Sequence, residues 1–225
     1  MKLLAFDTST EACSVALWLD GVCRERIEHG TRHSERILAM VEEALAEGAL
    51  RLRQLDAIAF GRGPGSFTSL RIGSGVVQGL AFGADLPVVP VSSLAALAQG
   101  ANAGRVLAAF DARMNQVYWG AFIRDSAGLV EPASAEIVVD PSRVPLPEGE
   151  DWIGVGSGWD ACSEMLASRL GARLSRWERG VYPRACDVAK LAAAAFAAGR
   201  TVTPEQAVPV YIRDDVAARP KGSVS

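Results

Sequence analysis

Asp20-Gly21 separates two apolar-rich runs, Ala12 to Leu19 and Val22 to Ile27, and an Asp-Gly pair between such runs is a strong signal for a two-residue hairpin. With Leu3 to Phe6 ahead of them, the chain opens on three strands. The spacing then changes. Ile37, Leu38, Val41 and Leu45 recur at helical intervals while Glu35, Arg36, Glu42, Glu43 and Glu47 fall on other faces, which predicts an amphipathic helix from Ser34, with Ser34 placed to cap it. Leu55 to Phe60 reads as a buried strand, Phe67 to Phe82 as a helix, Pro87 to Ser92 as a short strand and Ser93 to Ala101 as a helix. Three strands followed by alternating helices and strands predict an α/β fold, a mixed sheet flanked by helices.

The second half restarts this pattern. Ala5-Phe6-Asp7 recurs as Ala109-Phe110-Asp111 at the end of a run from Val106, Val117 to Ile123 supplies the next strand, and Asp125 to Gly128 supplies a turn. A degenerate internal duplication of a ribonuclease-H-like unit follows, with a first lobe over 1–103, a second over 104–213 and a flexible tail over 214–225. In the second lobe the proline-rich stretch Pro141 to Gly149 precedes a strand, Trp152 to Val155, and helices near Ala161 to Leu170 and Asp187 to Ala198. The last helix is a candidate to pack back on the first lobe.

Composition narrows the function. With 23 Lys+Arg against 26 Asp+Glu and a net charge of −3, the chain is poorly suited to bind a polyanion unaided. Cys13, Cys23, Cys162 and Cys186 form no C-x-x-C pair, so neither a zinc ribbon nor a disulfide framework is expected, and a cytoplasmic setting fits. Asp7 interrupts the first apolar run, and no later run is long enough for a membrane span.

Between the strand and the helix lies GRGPGSFTSLRIG, Gly61 to Gly73. It lacks the lysine of a P-loop, and there is none between Lys2 and Lys190; it also fails the dinucleotide spacing G-x-G-x-x-G. Backbone amides and Arg71 could still cradle a phosphate, but a Pro-Gly turn with Ser66 as helix cap accounts for the loop more simply. Gly75, Gly79 and Gly83 make a stripe that predicts close packing inside the lobe, leaving Leu70, Ser74, Val77 and Gln78 to meet a partner. His29 and His33 have the spacing of a helical metal pair, but Gly30 between them and the strand-to-helix junction argue against it. The candidate nucleotide-facing residues are Asp7, Thr8 and Ser9, whose alternative is a plain turn, and Gly156 and Gly158 of GVGSG.

FDTSTEACSVAL, HSERILAMVEEAL, GRGPGSFTSLRIG, DARMNQVYWGAF and PVYIRDDVA together resemble the bacterial TsaB family, also called YeaZ, over most of the chain, with Ser69 where that family usually has glycine. The resemblance implies an actin-like (ASKHA) fold of two ribonuclease-H-like lobes. It also implies a non-catalytic scaffold role in forming threonylcarbamoyladenosine on the tRNA adenosine beside the anticodon. Its implied partners are the catalytic paralogue TsaD, the ATPase TsaE and a second copy of itself, with tRNA met only through the complex. No cofactor of its own is implied, although ATP or ADP with magnesium could sit at a complex interface. The positions matching TsaD's metal-binding H-x-x-x-H pair are Ser93 and Leu97, which cannot replace imidazoles. Helices 34–45 and 67–82 would form the partner interface, through Ile37, Leu38, Val41, Leu45, Leu70, Arg71, Ser74, Val77 and Gln78. The rivals are a stand-alone kinase or ATPase using Asp7 and GVGSG, and a metallopeptidase using His29 and His33.

Overall fold

The computed structural model describes residues 1–30 and 32–213. The expected tail, 214–225, lies outside the described residues. β1 (Lys2–Asp7), β2 (Ala12–Leu19) and β3 (Val22–His29) form an antiparallel meander. Asp20 and Gly21 both take positive φ, 48° and 94°, as the tight hairpin between β2 and β3 requires. After α1 (His33–Glu47) the chain adds β4 (Ala57–Gly61) parallel to β1, then α2 (Phe67–Ala84), β5 (Val88–Val91) and α3 (Ser93–Gly100). The first sheet runs β3-β2-β1-β4-β5.

The second sheet is built from β6 (Arg105–Asp111), β7 (Val117–Arg124), β8 (Val130–Pro132), β9 (Ile137–Val139), β10 (Trp152–Val155) and β11 (Leu174–Glu178), with α4 (Ser157–Leu170) between the last two. Its order is β11-β10-β6-β7-β8, and β9 also pairs with β7. The short β8 and β9 and the edge strand β11 were not legible as strands. Finally α5 (Ala185–Ala197) leaves the second sheet and returns to the first.

Alternation along β1 sets the layers. Leu4 and Phe6 face α1 and α2, meeting Ile37, Met40, Val41, Val77 and Ala81, while Leu3 and Ala5 face α5, meeting Val188, Ala189 and Ala192. Small residues on both sides of that second contact, with Ala57 and Ala59 of β4, bring the helix close to the sheet. The second sheet is covered by α3 on one face and by α4 on the other, where Trp119, Trp152 and Trp159 fill the core. Sequence residues 185–211 thus serve the first sheet. Val202 bridges Val88 of β5, and the carbonyl of Ala207 accepts hydrogen bonds from Ser74 Oγ (2.6 Å) and Gln78 Nε2 (3.2 Å) of α2.

Three local expectations are corrected. α1 begins one residue earlier than Ser34, and Arg32 occupies its cap position with no side-chain cap bond. Ser66 does hold the cap position of α2, but its hydroxyl caps no backbone N–H and instead accepts from Ser69 Oγ at 3.0 Å. Cys23 and Cys186 form a disulfide across 163 positions, because the chain entering α5 runs beside β3. Spacing in the sequence could not reveal that proximity.

Candidate functional site

The end of β1, the glycine loop and the start of α3 converge on Asp7. Its carboxylate is 1% exposed, and all its described hydrogen bonds are internal: Oδ1 accepts from the backbone N–H and hydroxyl of Ser9 (2.8 and 2.7 Å), and Oδ2 from Ser93 Oγ (2.7 Å). Burial raises the Asp7 pKa, while the bonds from Ser9 and Ser93 and the charge of His33 pull the other way. Thr8, also buried, donates to the carbonyl of Ser69, and His33 donates a ring N–H to the carbonyl of Thr10 at 2.7 Å.

The glycines explain how the loop can close over this turn. A Cβ at Gly61 would lie 1.8 Å from Asp7 Oδ2, one at Gly65 2.2 Å from the Ser9 carbonyl oxygen, and one at Gly73 2.5 Å from Thr8 Oγ1. Ser66 N–H then bonds the Ser9 carbonyl at 2.7 Å, and Ser93 N–H the Gly63 carbonyl at 2.9 Å. Asp7, Thr8 and Ser9 are therefore covered by their own chain, which corrects their assignment as nucleotide-facing side chains. Gly156 and Gly158 are corrected likewise, since Cβ atoms there would lie 2.4 Å from the Ala109 carbonyl oxygen and 2.8 Å from Ala109 Cβ. These glycines are buried and admit β6.

At the positions matched to the metal pair, Ser93 serves Asp7 and Leu97 is buried in the second core. His29 stacks edge-on against Tyr182, its ring centroid 5.2 Å away, so the two histidines turn to different partners. Between the lobes remains an open cleft of ≈ 530 Å³ lined by Arg62, Glu136, Val210 and Ile212. Glu136 accepts a hydrogen bond from Ser92 and has a raised pKa, chiefly through burial.

The helical surface is organised opposite to the sequence expectation. Ile37, Val41, Leu70, Ser74 and Val77 are at most 5% exposed and face their own lobe, so they cannot form an outward surface. Leu45 and Gln78 are partly buried. Leu38 and Arg71 are exposed, the latter lying 3.9 Å over the Phe67 ring. The stripe Gly75, Gly79 and Gly83 points outward, with nothing within 4 Å of an added Cβ, and Phe82 beside it is 73% exposed. Large apolar side chains gain more from burial than glycine does, which fixes the rotation of α2.

Two duplicated sheets with helical covers define an actin-like, ASKHA-fold protein. The family model described as "TsaD: tRNA N6-adenosine threonylcarbamoyltransferase" matches residues 27–220. The protein is 46% identical to the Escherichia coli tRNA threonylcarbamoyladenosine biosynthesis protein TsaB, over 96% of each chain, and 40% identical to the Haemophilus influenzae protein of that name, over 96% and 95%. It superposes on the solved structure of YeaZ from Pseudomonas aeruginosa with a TM-score of 0.86 at 46% identity, covering 93% of this chain and 99% of that one. The Acidaminococcus fermentans (R)-2-hydroxyglutaryl-CoA dehydratase component A, 10% identical with a TM-score of 0.52 over 88% and 99%, shares the fold alone. The chain belongs to the TsaB (YeaZ) family of tRNA threonylcarbamoyladenosine biosynthesis proteins.

Proposed function

We propose that this chain is a non-catalytic scaffold subunit for tRNA N6-threonylcarbamoyladenosine formation, docking the catalytic subunit TsaD and acting with the ATPase TsaE. Asp7 carries this conclusion: the carboxylate best placed for chemistry at the end of β1 is spent on Ser9 and Ser93 beneath a closed glycine loop. That turn does not fit a magnesium-bound nucleotide. Any ATP or ADP would be held at a junction with the partners, and tRNA would be met through the complex.

Docking would use the outward face of α1 and α2, with Leu38, Arg71, Gly75, Gly79, Phe82 and Gly83 in place of the buried residues the sequence suggested. A bare glycine stripe lets a partner helix approach its backbone closely. A second copy using the same patch would be an isologous competitor for it.

The test is reconstitution with TsaD, TsaE, substrate tRNA, ATP and threonylcarbamoyl-adenylate, omitting one protein at a time. Modified tRNA should require this chain, and the chain alone should neither modify tRNA nor hydrolyse ATP. Turnover by the isolated chain, or full modification without it, would refute the proposal.

A further inference from the structure

Between β11 and α5 the chain crosses from the second sheet to the first as a short strap, residues 179–184, laid beside the edge strand β3. Polar contacts fasten it. The Tyr182 hydroxyl donates to Glu11, the Tyr182 ring meets His29, Arg184 Nε donates to Glu25 at 2.7 Å, and Glu25 also accepts the backbone N–H of Cys186 at 3.0 Å. The Arg184 side chain is 58% exposed and that of Glu25 only 5%, so water and salt reach this pair from the Arg184 side. The remaining fastening is covalent, the bond between Cys23 of β3 and Cys186 in the first turn of α5. Both cysteines are partly exposed residues, and exposure is what opens a disulfide to exchange with a small thiol.

We infer that the Cys23–Cys186 disulfide is a thiol-sensitive lock on this strap, giving the protein a locked form and an unlocked form. A low-molecular-weight thiolate attacks one sulfur and breaks the S–S bond, leaving a mixed disulfide and a cysteine thiolate that takes up a proton. A second thiol then attacks the mixed disulfide, releasing the other cysteine and one small-molecule disulfide, a two-electron exchange. In the unlocked form the strap and the first turn of α5 keep the Tyr182–His29 ring contact and the hydrogen bonds to Glu25 of β3, while Val188, Ala189 and Ala192 still hold the helix body to the sheet. The two forms therefore differ at residues 179–188 and along β3, the strand that the strap shields as an edge.

The test combines peptide mass spectrometry with amide hydrogen exchange on the full chain, before and after reduced glutathione, for wild type, Cys23→Ser and Cys186→Ser. Oxidised glutathione should produce a linked Cys23–Cys186 peptide in wild type, and reduced glutathione should remove it reversibly from the folded protein. Reduction should speed exchange selectively at 179–188 and β3 and lower the melting temperature by roughly 5–15 °C. Both serine variants should match reduced wild type, form no linked Cys23–Cys186 peptide and show no change in exchange when reduced glutathione is added. Cysteines that never join, a bridge that glutathione cannot open in the folded protein, or exchange indifferent to reduction would each overturn the lock. Wild type alone supplies these readouts should a serine variant fail to fold.

Discussion

Gly61 is a glycine because the Asp7 carboxylate occupies the space its side chain would need. In Gly61→Ala the new methyl group would collide with Asp7 Oδ2 and crowd Ser93 Oγ, so the substitution should destabilise the fold by about 1–3 kcal/mol, read from the urea midpoint. The sequence displayed the glycines and Asp7 separately. Their mutual dependence was hidden because parallel pairing of β1 with β4 brings them together. Asp187 is a second residue set by its surroundings: burial, then the charge of Glu25, pushes its pKa from 3.8 up to about 6. The native state consequently holds this proton more tightly than the unfolded chain, and stability should fall as pH rises from about 4 to 6, by on the order of 1–3 kcal/mol. Asp187→Asn should flatten that part of the pH-stability curve, as urea titrations across the interval would reveal; an unaltered slope would assign it to other groups.

At the scale of the element, α2 carries two stripes, and periodicity alone announced both without saying which faces inward. Leu70, Val77 and Ala81 decide the matter by removing apolar surface from water, and the glycines take what is left. Val77→Asp would consequently disrupt the core and tell nothing about docking. Gly79 is the better probe. Because an added Cβ there meets nothing, Gly79→Ala should stabilise the isolated chain by up to about 1 kcal/mol. Gly79→Leu should leave the fold intact and weaken association with TsaD or a second copy about tenfold or more, by analytical ultracentrifugation. Unchanged affinity would move the contact elsewhere.

For the molecule as a whole, the order of strands and helices was readable because hairpin chemistry at Asp20-Gly21 and the repeated Ala-Phe-Asp triplet are local signals. The long-range partnerships were not. Nothing local to Cys23 or Cys186 marks them as partners, and LSRWE shows no clean apolar alternation as β11 because both its faces are largely exposed. The bridge from Val202 to Val88 belongs with these distant pairings, as does the bond from Val210 N–H to the Arg62 carbonyl at 2.8 Å. A chain emerging from the ribosome reaches β5 long before Val202 exists to border it. Synthesis must then run past Val202 before the lobe that was started first can be finished, and until that moment its open border is exposed to every other nascent chain nearby.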